Sequence, residues 1–282
     1  MSTHSLTARS RLFVRIGFYL LVALICLIMV FPFYWMIIGS LQTTMDIFDL
    51  PRLIPLRVSL SGYRELFVDR PIFPWLLNSL LVAVFSVVIA SPIAILAGVS
   101  LSRYRYRFRL SMLYLVLFTQ LLPAPVILIP LYITMQEIGL VDSLLGLIMV
   151  DVGISLPLSV WMMKNFFDYI PPAIEEQARI DGCSDLGVLF RILIPLALPG
   201  LIAIIVFIFI VAWGEYVLSY TLITTTKNWV YTIALPHFQS QFDIQWGELM
   251  AATIFFVIPP IVLFLSIQRY FIQGLTRGSV KE

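Results

Sequence analysis

Two carboxylates stand where carboxylates are costly. Asp151 falls inside an apolar run of about residues 144–163, and Glu215 inside another of about residues 201–222. A charge at the centre of a membrane helix costs roughly 2.5–3.5 kcal/mol on insertion scales, so it normally faces a bundle interior or a wet cavity. Such groups can line a polar path, carry a proton, or hydrogen-bond a neighbouring helix. Trp213, Tyr216 and Tyr220 flank Glu215 and offer ring faces. Asp151, Trp213, Glu215, Tyr216 and Tyr220 are therefore the candidate lining of a translocation pathway. Phe207 and Phe209, two positions apart on a helix, point to opposite sides and form no platform. Other chemistry is thinly supported. The lysines are Lys164, Lys227 and Lys281, none in a glycine loop, so a phosphate-binding loop is excluded. His4 and His237 are isolated, Cys26 and Cys183 match no disulfide or zinc spacing, and no serine elbow occurs. No catalytic, cofactor or metal site is expected, and nothing points to nucleic acid.

A second group of residues lies in the longest polar segment between apolar runs on one side, 171–195. Pro171 and Pro172 open a helix at no cost in intrahelical bonds, and Glu175 and Glu176 follow in its first turn, opposing the positive helix end. Glu175 and Arg179 are four apart, a weak supporting pair. Gly182 terminates this helix, and Ser184 is placed to cap a second short one ending before Pro195. The segment reads as a helix–turn–helix with exposed charge, either a solvated connector or a docking surface.

The elements that position these groups are membrane helices. Hydrophobic residues make up 60% of the 282 and charged residues 12%, against about half and a quarter in a soluble domain. Mean hydropathy is +0.98. Apolar runs at about 18–38, 77–101, 110–133, 144–163, 201–222 and 249–267 are each near the roughly 20 residues a helix needs to cross a bilayer. The first is too long for a signal peptide and lacks a small-residue cleavage site. Pro123, Pro125 and Pro130 fall in the third and Pro259-Pro260 in the sixth, which requires neighbours to satisfy the freed carbonyls. Of the 18 basic residues, all but Arg52, Arg57, Arg64, Arg70 and Lys227 lie near the N-terminus, the 103–109 turn, the 171–195 segment or the C-terminal tail. The positive-inside rule then puts these four regions in the cytoplasm. The expected fold is all-α: a cytoplasmic segment 1–15, a six-span domain 16–272 with both termini inside, and a cytoplasmic tail 273–282. No internal repeat is evident.

The 171–195 segment resembles the EAA loop of importer permeases of the ATP-binding-cassette (ABC) class. The matching residues are Glu176-Gln177-Ala178, Asp181-Gly182 and Ile192-Leu193-Ile194-Pro195, with Gln177, Cys183 and Ile194 departing from the pattern. Asn78-Ser79, Gly139 to Ser143, Trp213-Gly214-Glu215, Trp246 to Ala252 and the tail from Gln268 resemble the carbohydrate-uptake branch, specifically the second of its two membrane subunits. Gly214 departs from a common asparagine. The resemblance implies a permease for a sugar or related polyol in the cytoplasmic (inner) membrane of a bacterium or archaeon. It implies three partners: an ABC ATPase dimer, a second permease subunit and an extracytoplasmic solute-binding protein. ATP and Mg would be used by the ATPase, with no cofactor bound by this chain. The loop between spans four and five becomes the coupling helix, with Glu175, Glu176, Ala178, Asp181, Gly182, Ile192 and Pro195 in the ATPase contact. Gly182 is expected to matter because a side chain there would obstruct the turn. A proton-coupled secondary transporter using Asp151 or Glu215 is the alternative.

Overall fold

The computed structural model describes residues 8–49, 54–55, 58–239 and 245–277, which form helices joined by short connections. In chain order these are α1 Ala8–Ser40, α2 Thr44–Asp49, α3 Ser61–Val68, α4 Ile72–Arg103, α5 Arg109–Phe118, α6 Ala124–Glu137 and α7 Leu144–Asp168. Then follow α8 Pro172–Ile180, α9 Asp185–Val188, α10 Ile194–Leu196, α11 Leu198–Gly214, α12 Val217–Leu222, α13 Tyr231–Ala234 and α14 Trp246–Arg277. Residues 1–7 and 278–282, Arg52, Arg57 and Asp243 lie outside the described residues, so the terminal segments expected at 1–15 and 273–282 are covered only in part.

Among the described residues four helices are long and apolar enough to cross a membrane: Val14–Ser40, Ile72–Arg103, Leu144–Asp168 and Trp246–Arg269. Two further spans are possible only as bent pairs. The third expected run is not one straight helix; Ser111–Leu121 and Pro125–Glu137 meet at 103°. Leu122 precedes Pro123, and the proline ring drives it out of the helical region, to ψ 122°. The fifth expected run also ends early. Helix α11 stops at Gly214, Glu215 is extended, and the chain restarts as α12.

The chain divides into two compact units. The first, Met1–Arg70 with Phe238–Phe255, carries α1, whose most apolar stretch has no buried residue. Side chains such as Phe18, Leu27 and Met29 are mostly exposed, which only hydrocarbon or another apolar surface would tolerate. Within this unit Arg70 pairs with buried Glu248 at 3.3 Å, and Ser40 and Tyr63 hydroxyls share a 2.8 Å bond.

The second unit, Pro71–His237 with Phe256–Glu282, is built on α4 and α7. Val82, Ser86, Ala90, Ala94 and Gly98 recur every fourth residue along α4. Leu147, Asp151, Ser155, Ser159 and Met163 do so along α7, and all ten are essentially buried. These are two i±4 ridges, small at Ser86, Ala90, Ala94 and Gly98 on α4 and at Ser155 and Ser159 on α7, the pattern that lets helix backbones approach closely. A Cβ at Gly98 would lie 2.8 Å from that of Met163, and Ser102 donates to Asp168 at 2.6 Å. The helices run side by side in that register, which places Ser86 at the level of Asp151. Helix α11 packs on both. Pro260 cannot donate to the carbonyl of Phe256, and Trp213 Nε1 fills that vacancy at 3.1 Å.

Candidate functional site

Segment 171–195 folds as its caps dictate. Helix α8 ends in a Schellman motif: Gly182 sits at φ +88°, its N–H donates to Arg179 O at 3.1 Å, and Cys183 N–H donates to Ala178 O at 3.0 Å. Ser184 caps α9 through Gly187 N–H at 3.2 Å. A π-helical turn over Leu189–Leu193 leads into α10. The obstruction expected at Gly182 is absent, because a Cβ there would meet nothing within 4 Å. The glycine is required by its left-handed backbone, which L side chains occupy at a cost of about 1–2 kcal/mol.

The coupling candidates fall on two faces. Glu176, Asp181, Gly182 and Pro195 are exposed, Ile192 is half-buried, and Ala178 packs into the core. Glu175 departs from the expected exposed charge: it is 3% exposed and ion-paired with Arg103 at the end of α4. Arg103 also donates to Ile170 O at 2.9 Å. The expected Glu175–Arg179 pair is present but long, at 3.8 Å, since Arg179 bonds Asp185 at 3.0 Å. Hydrogen bonding to Asp185 pushes the Arg179 guanidinium up from its ordinary value. The outward face also carries apolar side chains, Ile180 at 85% and Leu186 at 67% exposure.

The two out-of-place acids are held differently. Asp151 is wholly buried, and neither oxygen finds a partner among the described residues; the Ser86 hydroxyl is orphaned likewise. Glu215 is instead a cap. Its Oε1 accepts from Leu218 N–H at 3.0 Å and its Oε2 from Ser219 N–H at 2.8 Å, satisfying the start of α12. Trp213 does not offer a stacking face as expected, being 3% exposed with Phe209 and Phe256 stacked on it. Tyr216 and Tyr220 do stand open, as a tilted pair with centroids 5.6 Å apart.

At the other end of α4 and α7 the structure reveals a clasp to which sequence reasoning assigned no role. Segment 224–231 is gripped by four side chains. Asp142 Oδ1 accepts from Thr224 and Thr225 N–H, both at 2.9 Å, and Oδ2 from the Thr225 hydroxyl at 2.8 Å. Trp75 Nε1 donates to Thr226 O at 3.0 Å. Asn78 donates to Lys227 O and Trp229 O, and Ser79 Oγ accepts from Tyr231 N–H at 2.7 Å. Burial works against a charged Asp142, but the Thr225 and Thr224 bonds outweigh it and hold the carboxyl below the usual carboxylate range. The one available signal was the siting of Asn78, Ser79 and Asp142 at the edges of apolar runs.

Comparison with known proteins completes the description. The family model for the inner membrane component of binding-protein-dependent transport systems matches residues 90–277. An inner membrane ABC transporter permease protein of Escherichia coli, YcjP, is 34% identical over 271 residues, 95% of this chain and 96% of its own. The sulfoquinovosyl glycerol transport system permease protein SmoH of Agrobacterium fabrum is 30% identical over 252 residues, 89% of this chain and 88% of its own. Among solved structures, a chain of a bacterial ABC transporter involved in the import of the acidic polysaccharide alginate superposes with TM-score 0.80. It has 23% identity and covers 95% of this chain and 100% of that one.

Proposed function

We propose, from the premise that this chain belongs to the family of binding-protein-dependent transport system inner membrane components, that it is a permease subunit importing a sugar or related polyol. It is a multi-pass protein of the cytoplasmic membrane and not itself an enzyme, since ATP hydrolysis belongs to a separate ATPase subunit. Six spans with both termini inside follow from the basic-residue bias, with the bent pair Ser111–Leu121 and Pro125–Glu137 as the third and α11, continued by α12, as the fifth. Segment 171–195 is then cytoplasmic and docks on an ABC ATPase dimer. ATP and Mg are used there, and this chain holds no cofactor. A second permease subunit and an extracytoplasmic binding protein complete the importer.

The observation that carries the coupling assignment is the outward face of α8–α9, where Ile180 and Leu186 stand open beside Glu176 and Asp181. Exposed apolar side chains rimmed by charge mark a surface made to be covered. Ile180→Cys in the assembled importer is expected to crosslink to the ATP-hydrolysing subunit. If it crosslinks to lipid or to nothing while uptake proceeds, the docking face lies elsewhere.

Asp151, Glu215, Tyr216 and Tyr220 are assigned to the pathway region, with Glu215 fixing the helix break and Trp213 buttressing it from behind. Asp151→Leu tests this. A buried polar group without a partner contributes nothing to stability, and apolar replacement of similar shape is neutral or stabilising. The variant is expected to match or exceed the wild-type melting temperature while losing transport. Loss of stability instead would identify Asp151 as a helix–helix bond completed by the other permease subunit.

A further inference from the structure

The turn between α4 and α5 alternates aromatic and basic residues: Tyr104, Arg105, Tyr106, Arg107, Phe108, Arg109. Tyr104 leaves the helix in an extended conformation, and Arg109 N–H closes the turn on Tyr106 O at 3.2 Å. All three rings face outward, at 58%, 41% and 63% exposure. Carboxylates are close by at this end of the bundle, but others take them: Glu175 by Arg103, Asp168 by Lys164, Asp185 by Arg179. Among the described residues no carboxylate pairs with Arg105, Arg107 or Arg109. Only five residues separate α4, an apolar helix, from α5, which begins at Arg109 and leads into one half of a bent apolar pair, so the segment lies close to the membrane surface.

We propose that this turn binds the headgroup of an anionic phospholipid. Guanidinium groups match phosphate oxygens in a bidentate fork and are weakly hydrated, which suits a phosphodiester better than bulk water. Amphipathic rings settle at the boundary of headgroup and acyl chain, the depth at which the arginines would meet that phosphodiester. Soluble phosphate would account for the arginines but not for three open rings interleaved with them. A lipid held here sits one residue from Arg103, the anchor of α8.

The test uses the protein purified with its accompanying subunits and reconstituted in phosphatidylcholine vesicles, with spin-labelled phosphatidylglycerol or phosphatidylcholine as the probe. Each basic side chain near an anionic surface favours the anionic lipid, so the wild type is expected to prefer phosphatidylglycerol at least about twofold. Arg105→Gln, Arg107→Gln and Arg109→Gln together bring that preference toward parity, while the corresponding triple lysine variant, which keeps the charge but not the fork, retains only part of it. A glutamine variant as selective as the wild type overturns the proposal, as does a wild type that shows no preference for phosphatidylglycerol while binding inorganic phosphate. If the triple variant fails to insert, Arg105→Gln and Arg107→Gln are measured singly. A lowered preference in either supports the site, and no change in both overturns it.

Discussion

The two ends of the α4–α7 pair are built on opposite principles. At one end, segment 224–231 is held by Trp75, Asn78, Ser79 and Asp142, which occupy its backbone groups almost continuously from Thr224 to Tyr231. At the other, α8–α9 satisfies its backbone internally through its caps, buries Ala178 and Val188 in the core, and has Arg103, which grips Glu175 and Ile170 O, as its polar link to α4. Many weak bonds shared over a segment resist displacement piecemeal, whereas a single buried pair acts as one joint. The first arrangement makes a rim, and the second makes a lever that can transmit force while presenting Ile180 and Leu186 to a partner.

The sharpest way to break this contrast is Arg103→Ala. Removing one partner of a buried ion pair costs about 3–5 kcal/mol when the other charge is left alone, and less here because Arg179 stays 3.8 Å from Glu175. Arg103 and Glu175 side chains are 13% and 4% exposed. The melting temperature is expected to fall steeply and ATP hydrolysis to uncouple from solute. Replacing both residues by Met restores stability but not coupling, if the pair is a joint and not merely a strut. Unchanged melting of Arg103→Ala would mean that α8 is held by packing alone.

At the rim, Asp142→Asn keeps the backbone at φ 56°, which asparagine tolerates, but weakens three accepted bonds. Charge-assisted bonds are worth about 1.5–3 kcal/mol each and neutral ones about 0.5–1.5, so roughly 1–3 kcal/mol is expected because the amide keeps part of the set. Protease nicking at 224–228 should accelerate while ATP hydrolysis is spared. Back on the lever, Gly182→Ala meets no neighbour and costs only the left-handed strain, about 1–2 kcal/mol. Coupling should fall more than melting temperature. A variant that couples normally would show that the αL turn tolerates a side chain and that α8 and α9 need no fixed angle.

The lever was largely legible in the sequence, because caps and turns are local: Pro172, Gly182 and Ser184 act within four residues of themselves, and each did what its type implies. The helices were legible through apolar length, but their breaks were not. Pro123 bends one span and leaves the path beyond it to tertiary packing. Glu215 looked like a stranded charge because its partners, Leu218 and Ser219 N–H, are backbone groups freed only if the helix stops at Gly214. The burial of Glu175 and the whole clasp depend on contacts between residues tens of positions apart, as with Arg103 and Glu175 or Asp142 and Thr225, and no local pattern records such pairings.

The finest discrimination between rim and lever is acid titration. Asp142 carries its proton more weakly in the folded protein than the roughly 3.9 expected of an unfolded aspartate. Its bonds to Thr224 and Thr225 therefore contribute fully above the unfolded value and fade as pH falls through the folded one. The stability gap between wild type and Asp142→Asn should stay constant from neutrality down to about pH 4 and close only below it. A gap that opens with acid would require a carboxyl favoured in its protonated form, and the clasp would then be gripping Thr225 with a neutral acid. Gly182→Ala, read over the same range, should run parallel to the wild type, since no proton is involved in its strain.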